Sequence, residues 1–376
     1  MKILYLVGAA LVAAMTWPLA AIAQDGQTAI TTTPPAETVC QDCPAPQAFI
    51  PPMPPANFNP VTASDAALAH YGFPPRPNAA TAPDDYAFWR HLVTLPAKRV
   101  NPTLRATKVY NGPAQIGPLA ARSANGPTGT SSNNWSGYAI VDGKNPFKAT
   151  NTYVYGAFVV PTARQAFGAC KGTVYSSSWV GIDGFNSSDV FQAGIEADAT
   201  CSANKTTAYY TAWYEWFPIS EIAISSPPVA PGNLIYVYIW NVSQTQGWYY
   251  MANDTQNVYS TLEFKAPKGT KLTGNSVEWI VERPGIGGSL SNLMNYTAIP
   301  WYYARAANSA RGSLEYSPGT APTGTLYSIT MIDSSSNEIS QSYATPESAL
   351  TYVNEKGAGF HYAGSALWFF DVGSAK

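Results

Sequence analysis

From Asn134 to Phe369-Phe370-Asp371-Val372, short runs of alternating apolar and polar residues are separated by clusters of Gly, Pro, Ser, Thr and Asn. A period of two bounded by turn residues predicts strands with one face buried. Such runs cover Tyr153 to Val160, Tyr175 to Val180, Thr207 to Phe217, Leu234 to Val242, Trp248 to Ala252, Val277 to Val281 and Ser365 to Phe370. They are rich in the β-branched and aromatic residues that suit a pleated surface. No helical period and no repeat interrupts this half. About 250 residues of closely spaced strands therefore predict an all-β, two-sheet antiparallel sandwich.

The N-terminal third is patterned differently. From Gln24 to about Pro60 it is Thr/Pro/Ala-rich, with Pro34-Pro35, Pro51-Pro52 and Pro54-Pro55, which predicts polyproline II or disorder rather than a core. Two short helices follow: Ser64 to Tyr71, stopped by Gly72, and Asp84 to Val93, with Pro83 at its start and acids in its first turn. A connector of scattered Arg, Pro, Gly and Ser runs from Lys98 to about Thr130. The chain thus divides into a leader (1–23), a partly disordered, partly helical segment with a Pro-rich linker (24–128) and a sandwich domain (129–376).

The leader has one lysine, an apolar run from Ile3 to about Ala21, and Ala21-Ile22-Ala23 before Gln24. That is the build of a secretory signal peptide cleaved before Gln24; a membrane anchor is the alternative. The protein is expected outside the cell, or in the periplasm of a Gram-negative host, with no membrane contact once the leader is gone. Charged residues make up only 12% of the chain and aromatics 13%, with a formal net charge of −2. Neither a nucleic-acid groove nor an anionic membrane surface is suggested. Few carboxylates also leave few ion pairs to lose in acid, which predicts acid tolerance. Arg90, Lys98, Arg99, Arg105, Lys108 and Arg122 lie in a stretch without acids, while residues from 129 onward carry 13 basic and 17 acidic residues. A basic tail against an acidic body predicts a contact held at neutral pH and loosened by acid; an accessory domain or plain spacer is the alternative for this segment.

In an exported chain the four cysteines are expected to pair. A Cys170–Cys201 bridge would close a loop around part of the strand region. Cys40 and Cys43 form one Cys-x-x-Cys without a second pair or a nearby histidine, so a local disulfide or free thiols suit them better than zinc.

Five segments stand in order: Asn133-Asn134-Trp135-Ser136-Gly137, Ser178-Trp179-Val180-Gly181-Ile182-Asp183-Gly184, Phe191-Gln192-Ala193-Gly194, Tyr210-Thr211-Ala212-Trp213-Tyr214-Glu215-Trp216-Phe217-Pro218 and Val277-Glu278-Trp279-Ile280-Val281-Glu282. Their order and spacing resemble the glutamic endopeptidases of peptidase family G1, the eqolisin family. The resemblance runs from about Ser131 to the end and implies a concanavalin A-like sandwich, an acid endopeptidase acting on polypeptides, and a dyad at Gln192 and Glu278. Glu278 would act as base on water and then as acid to the leaving amine, with Gln192 holding the oxyanion. Trp179, Asp183, Trp213 and Glu215 match positions near the cleft, Glu215 as a hydrogen-bond partner of the dyad. Glu196, Thr211 and Phe217 stand where the family pattern has Asp, Asp and Tyr, which bears on the surroundings of the dyad and on substrate preference.

Strand parity places Gln192, Gly194 and Glu196 on one face, Glu278 and Glu282 on one face, and Trp213, Glu215 and Phe217 on one face. Taken singly, each Glu or Gln suits an ordinary solvated strand position. Other chemistries find less support. One histidine, His361, follows residue 129; there is no Gly-x-Ser-x-Gly elbow, His-Glu-x-x-His, Asp-Thr-Gly or Asp-Ser-Gly pair, or phosphate-cradling loop. No metal and no cofactor are expected. A glycoside hydrolase using Glu215 and Glu278, or a carbohydrate-binding module, remains the alternative, because aromatic-lined paired carboxylates also describe a sugar cleft. Under the peptidase reading the 24–128 segment is an intramolecular inhibitor, and the enzyme works as a monomer.

Overall fold

The computed structural model describes residues 28–43, 45–117, 127–141, 152–165, 170–296, 298–308, 312–315, 325–345, 351–353, 359–361 and 366–372. The expected leader, its cleavage site and residues 118–126 of the connector lie outside them. Among the described residues no helix is long and apolar enough to cross a membrane.

The strands that build the architecture are, in chain order, β1 (Leu104–Ala106), β2 (Trp135–Val141), β3 (Thr152–Val159), β4 (Ser177–Ile182), β5 (Phe191–Ser202), β6 (Lys205–Trp216), β7 (Ile222–Ile224), β8 (Leu234–Ser243), β9 (Gln246–Asn253), β10 (Val258–Lys265), β11 (Ser276–Glu282), β12 (Ile299–Asn308), β13 (Thr325–Ile332), β14 (Glu338–Thr345) and β15 (Ala366–Asp371). A front layer runs β7-β6-β5-β4-β11-β2-β13, antiparallel throughout. A back layer runs β10-β9-β8-β3-β12, also antiparallel. The two layers of the expected sandwich are present, but β14 and β15 join β13 to β12 along one edge. The result is one continuous sheet folded onto itself.

Alternation decides what lies between the layers. Phe191, Ala193 and Ile195 of β5, Val277, Trp279 and Val281 of β11, and Val237 and Ile239 of β8 share the interior cluster. The opposite side chains of the front layer, Trp179, Trp213, Ile280 and Trp135 among them, form a separate cluster on its outer face. That outer face carries the candidate site.

The N-terminal segment wraps both layers. Helix α1 (Asp65–His70) is capped by Ser64, whose hydroxyl accepts the Ala67 N–H at 3.2 Å. Helix α2 (Pro83–Val93) starts on its proline, carries Asp84 and Asp85 in the first turn and Arg90 and His91 in the last, as end-charge complementarity favours. It buries Phe88, Trp89 and Leu92 against a tyrosine-rich outer face of the back layer, with Phe88 stacked on Tyr155 at 4.0 Å. Asp85, fully buried, accepts from the Tyr155 hydroxyl at 2.5 Å and from Arg305 Nε at 3.0 Å.

Residues 28–43 and 45–60 of the Pro-rich stretch follow the surface in defined contacts. Phe49 exchanges backbone hydrogen bonds with Glu263, and the Arg99 guanidinium donates to the carbonyls of Pro51, Pro52 and Tyr71 at 2.7, 2.8 and 3.0 Å. Proline has no N–H to satisfy, so one buried guanidinium can serve the stretch's carbonyls. The cysteines pair as Cys170–Cys201 and Cys40–Cys43.

Candidate active site

Register brings the two motifs that carry Gln192 and Glu278 to one glycine. Gln192 on β5 faces Gly181 of β4, Glu278 on β11 faces the same Gly181 from the other side, and Glu215 on β6 faces Gln192. The row Glu215, Gln192, Gly181, Glu278 thus crosses four adjacent strands, with all side chains on the outer face of the front layer. Strands lie about 4.8 Å apart, so the backbones of Gln192 and Glu278 are separated by about 10 Å. Only a residue without a side chain leaves the space between them open. A Cβ on Gly181 would lie 3.3 Å from Glu278 Oε2 and 2.5 Å from Trp179 Cζ3, so the Glu278 carboxyl leans across Gly181 toward Gln192.

Neighbouring rows hold the other candidates. Trp213, Gly194, Trp179 and Ile280 are aligned in one row, and Thr211, Glu196, Ser177 and Glu282 in the next. Gly194 lets Trp179 lie flat beside it, since a Cβ there would meet Trp179 Cβ at 2.6 Å. Glu282 collects three donors: Asn134 Nδ2 at 3.0 Å, Trp135 Nε1 at 3.1 Å and Trp179 Nε1 at 3.0 Å. It locks the indoles that wall the site. Glu196 accepts from the Ser177 hydroxyl at 2.5 Å.

Asp183 sits beside the row at φ 68°, and both of its oxygens are consumed by the turn at Thr273, Gly274 and Asn275. It anchors that turn and faces the row only through its charge. Phe217, half-buried, packs with the indole cluster and lies 3.4 Å from where a Cβ on Gly112 would be.

Gln192, Glu215, Glu196, Glu278 and Glu282 are all buried because residues 107–117 cross over them as a strap. Asn111 is its centre. The Asn111 N–H donates to Glu215 Oε2 at 2.9 Å, and Gln192 Nε2 donates to the Asn111 carbonyl and, at 3.4 Å, to Glu215 Oε2. The Gly112 carbonyl accepts from Trp135 Nε1 at 3.1 Å and Asn134 Nδ2 at 3.4 Å, and the Pro113 carbonyl from Asn134 Nδ2 at 3.1 Å. The Ala114 N–H donates to the Gly184 carbonyl at 3.0 Å. The outer face therefore grips an extended backbone mainly through its peptide groups. Gln192 Oε1 stays without a hydrogen-bond partner beneath it, and the Glu278 oxygens have only weak, distant donors in Ser276 and Phe185.

Burial raises the Glu278 carboxyl well above the ordinary carboxylate range; the Ser276 hydroxyl opposes this and the Asp183 charge adds to it. Burial raises Glu215 likewise against the Asn111 N–H, and Glu282 against the Asn134 and Trp179 donors. Beside them Glu196, Asp198 and Glu221 are raised by burial, and the last two also by the charge of Glu196. Groups that hold more protons when covered favour the covered state at low pH. Among the described residues, ion pairs between the N-terminal segment and the body join Asp84 and Asp85 to Arg305, at 3.6 and 3.0 Å. Arg99 serves carbonyls, Arg105 donates to the Tyr209 hydroxyl at 2.8 Å, and Arg122 lies outside the described residues.

Sequence reasoning assigned no role to Glu282, Asn134, Asp198, Glu221 or Asn111. Parity already put Glu282 on the face of Glu278, whereas nothing local marked Asp198, Asn111 or Glu221. A cavity of about 880 Å³ lined by Phe49, Tyr214, Trp216, Phe264 and neighbours lies under the Pro-rich stretch, away from this row.

The sheet folds over onto itself, and its outer face carries a Gln/Glu row beneath an extended stretch of the chain's own backbone. The chain belongs to the Peptidase A4 family, whose model matches residues 133–351; these are the glutamic peptidases. It is 27% identical over 194 residues to aspergillopepsin-2 of Aspergillus niger, spanning 47% of this chain and 65% of that protein's length. Its fold is similar to scytalido-glutamic peptidase bound to a transition-state analogue inhibitor, at 16% identity and TM-score 0.47 over 64% of this chain and 98% of that one. It is similar also to aspergilloglutamic peptidase of Aspergillus niger, at 24% identity and TM-score 0.39 over 53% and 99%.

Proposed function

We propose that this protein is a secreted acid endopeptidase that hydrolyses polypeptides through Gln192 and Glu278 and is made as a proenzyme whose N-terminal segment (24–128) inhibits it. The observation that carries the reading is the row Glu215–Gln192–Gly181–Glu278 with a backbone laid over it and a carbonyl on Gln192 Nε2. Glu278 takes a proton from water as the water oxygen adds to the scissile carbonyl. Gln192 Nε2 holds the resulting oxyanion, and Glu278 returns its proton to the leaving amine. Glu215 positions Gln192 and receives the N–H of the residue that supplies the carbonyl. Glu278 works as a base only when ionised, so opening the cleft, which ends the burial that raises it, extends its activity toward acid. The glycosidase alternative is less well supported, since Glu215 and Glu278 stand three strand spacings apart with an amide and a glycine between them.

The test is cleavage of an acid-denatured protein between pH 2 and 7 with pepstatin present, using wild type, Glu278→Gln and Gln192→Ala. Pepstatin-resistant cleavage is expected in acid, abolished by Glu278→Gln and reduced about 10²–10³-fold by Gln192→Ala, as for loss of an oxyanion donor. Near-normal turnover in either variant ends the dyad assignment.

A further inference from the structure

Behind β6, on the side away from the row, lies the cavity of about 880 Å³. Tyr214 and Trp216 of that strand wall it, alternating with Trp213, Glu215 and Phe217, which turn to the outer face. Phe264 of β10 and Ile222 of β7 complete the body's side, and all four walls are buried. The N-terminal segment closes the other side with residues 45–49 and Ala106. Apolar walls around a space of this size are the usual build of a small-molecule site, at about 300–1,000 Å³. One polar atom among them lacks a partner: Trp216 Nε1 is buried and has no acceptor, and a buried donor is costly until an acceptor reaches it. Glu263 and Lys265 share the rim, so the charges there balance and the indole N–H selects the head group of an occupant.

We infer that this cavity binds one medium-chain aliphatic carboxylic acid, its chain against Tyr214, Ile222 and Phe264 and a carboxyl oxygen accepting from Trp216 Nε1. The walls come from both the N-terminal segment and the body, so an occupant favours the state in which the two are joined. Ala106 leads directly into the strap at Thr107, and Ile219 and Ser220, also on the wall, precede Glu221. The occupant therefore grips the base of the strap and brakes the opening of the cleft. That consequence rests on the proposed function, whereas the binding itself does not.

Calorimetric titration of full-length protein at pH 6 tests the site with dodecanoic acid and with dodecylammonium, whose head has donors and no acceptor. Wild type is compared with Trp216→Phe, which keeps an aromatic wall and removes the N–H, and with Ala48→Phe, which fills the space from the segment's side. Expected is one dodecanoic acid per chain, bound about tenfold more tightly than dodecylammonium, with affinity rising up to about fourfold per CH₂ from octanoic to dodecanoic acid. Trp216→Phe should weaken the acid about tenfold, as for loss of one hydrogen bond to a charged head, and leave dodecylammonium unchanged. Ala48→Phe should abolish both.

Dodecanoic acid should also raise the melting temperature and slow the onset of digestion of an added acid-denatured protein, in wild type and not in Ala48→Phe. No binding, equal binding of the two heads, or an affinity for the acid unchanged in either variant that folds overturns this inference and leaves the proposed function standing. Protein that binds the acid as expected and digests nothing, with or without it, overturns the proposed function and leaves the site standing.

Discussion

Gly181→Ala tests the geometry of the row with one methyl group. The new Cβ would stand 2.5 Å from Trp179 Cζ3 and 3.3 Å from Glu278 Oε2. Carbon atoms settle at about 3.5–4.0 Å, so the indole must move by about 1 Å. It cannot move freely, because its Nε1 is bonded to Glu282 and its ring packs edge-on against Trp135 at 4.9 Å. Overpacking of this kind costs about 1–3 kcal/mol, which lowers the melting temperature by roughly 2–4 °C per kcal/mol in a domain of this size. The carboxyl of Glu278 is displaced from Gln192 as well, and a misplacement near 1 Å can cost about 10²-fold in turnover. Thermal unfolding and kcat on a denatured protein substrate measure the two effects separately. A variant with wild-type stability and wild-type kcat would refute the claim that the empty position at 181 keeps the space between the two side chains open.

Thermal stability of the uncut protein should fall as pH rises from about 4.5, the ordinary Glu range. Glu196, Asp198, Glu215, Glu221, Glu278 and Glu282 are all raised by burial, so the folded state holds more protons than the unfolded one. Glu221→Gln should flatten that slope, and a melting temperature that rises between pH 4.5 and 8 would contradict it. Asp85→Ala leaves Arg305 buried without its main partner, a loss of about 3–5 kcal/mol for such pairs that the exposed Asp84 at 3.6 Å partly offsets; denaturant unfolding reads it, and a change under 1 kcal/mol would show that the pair does not hold helix α2. Glu282→Gln sets an NH₂ either against the Asn134 donor at Oε1 or against the two indole donors at Oε2, and should cost about 1–3 kcal/mol and shift the near-ultraviolet dichroism of Trp135 and Trp179. An unchanged spectrum would refute the role of Glu282 as their anchor.

What could be read along the chain was what depends on neighbours one or two residues away. Alternation fixed which side chains of β5, β6 and β11 share a face, because successive strand residues must point apart, and the interior and outer clusters divide along that parity. The helix from Pro83 was legible for the same local reason, since a proline and acids in the first turn mark a helix start along the chain itself. The register that sets Gln192 and Glu278 about a shared Gly181 was not, because pairing between strands that lie more than 90 residues apart in sequence is decided by the packing of whole layers. Nor could composition show that the Pro-rich stretch is held by Arg99, or that Asp85 pairs with Arg305 across the two parts of the chain. The motifs alone named the reactive residues and their faces; the folding of the sheet and the path of the N-terminal segment brought those residues together, buried them and laid Asn111 across them, because burial and contact between distant segments exist only once the chain has closed on itself.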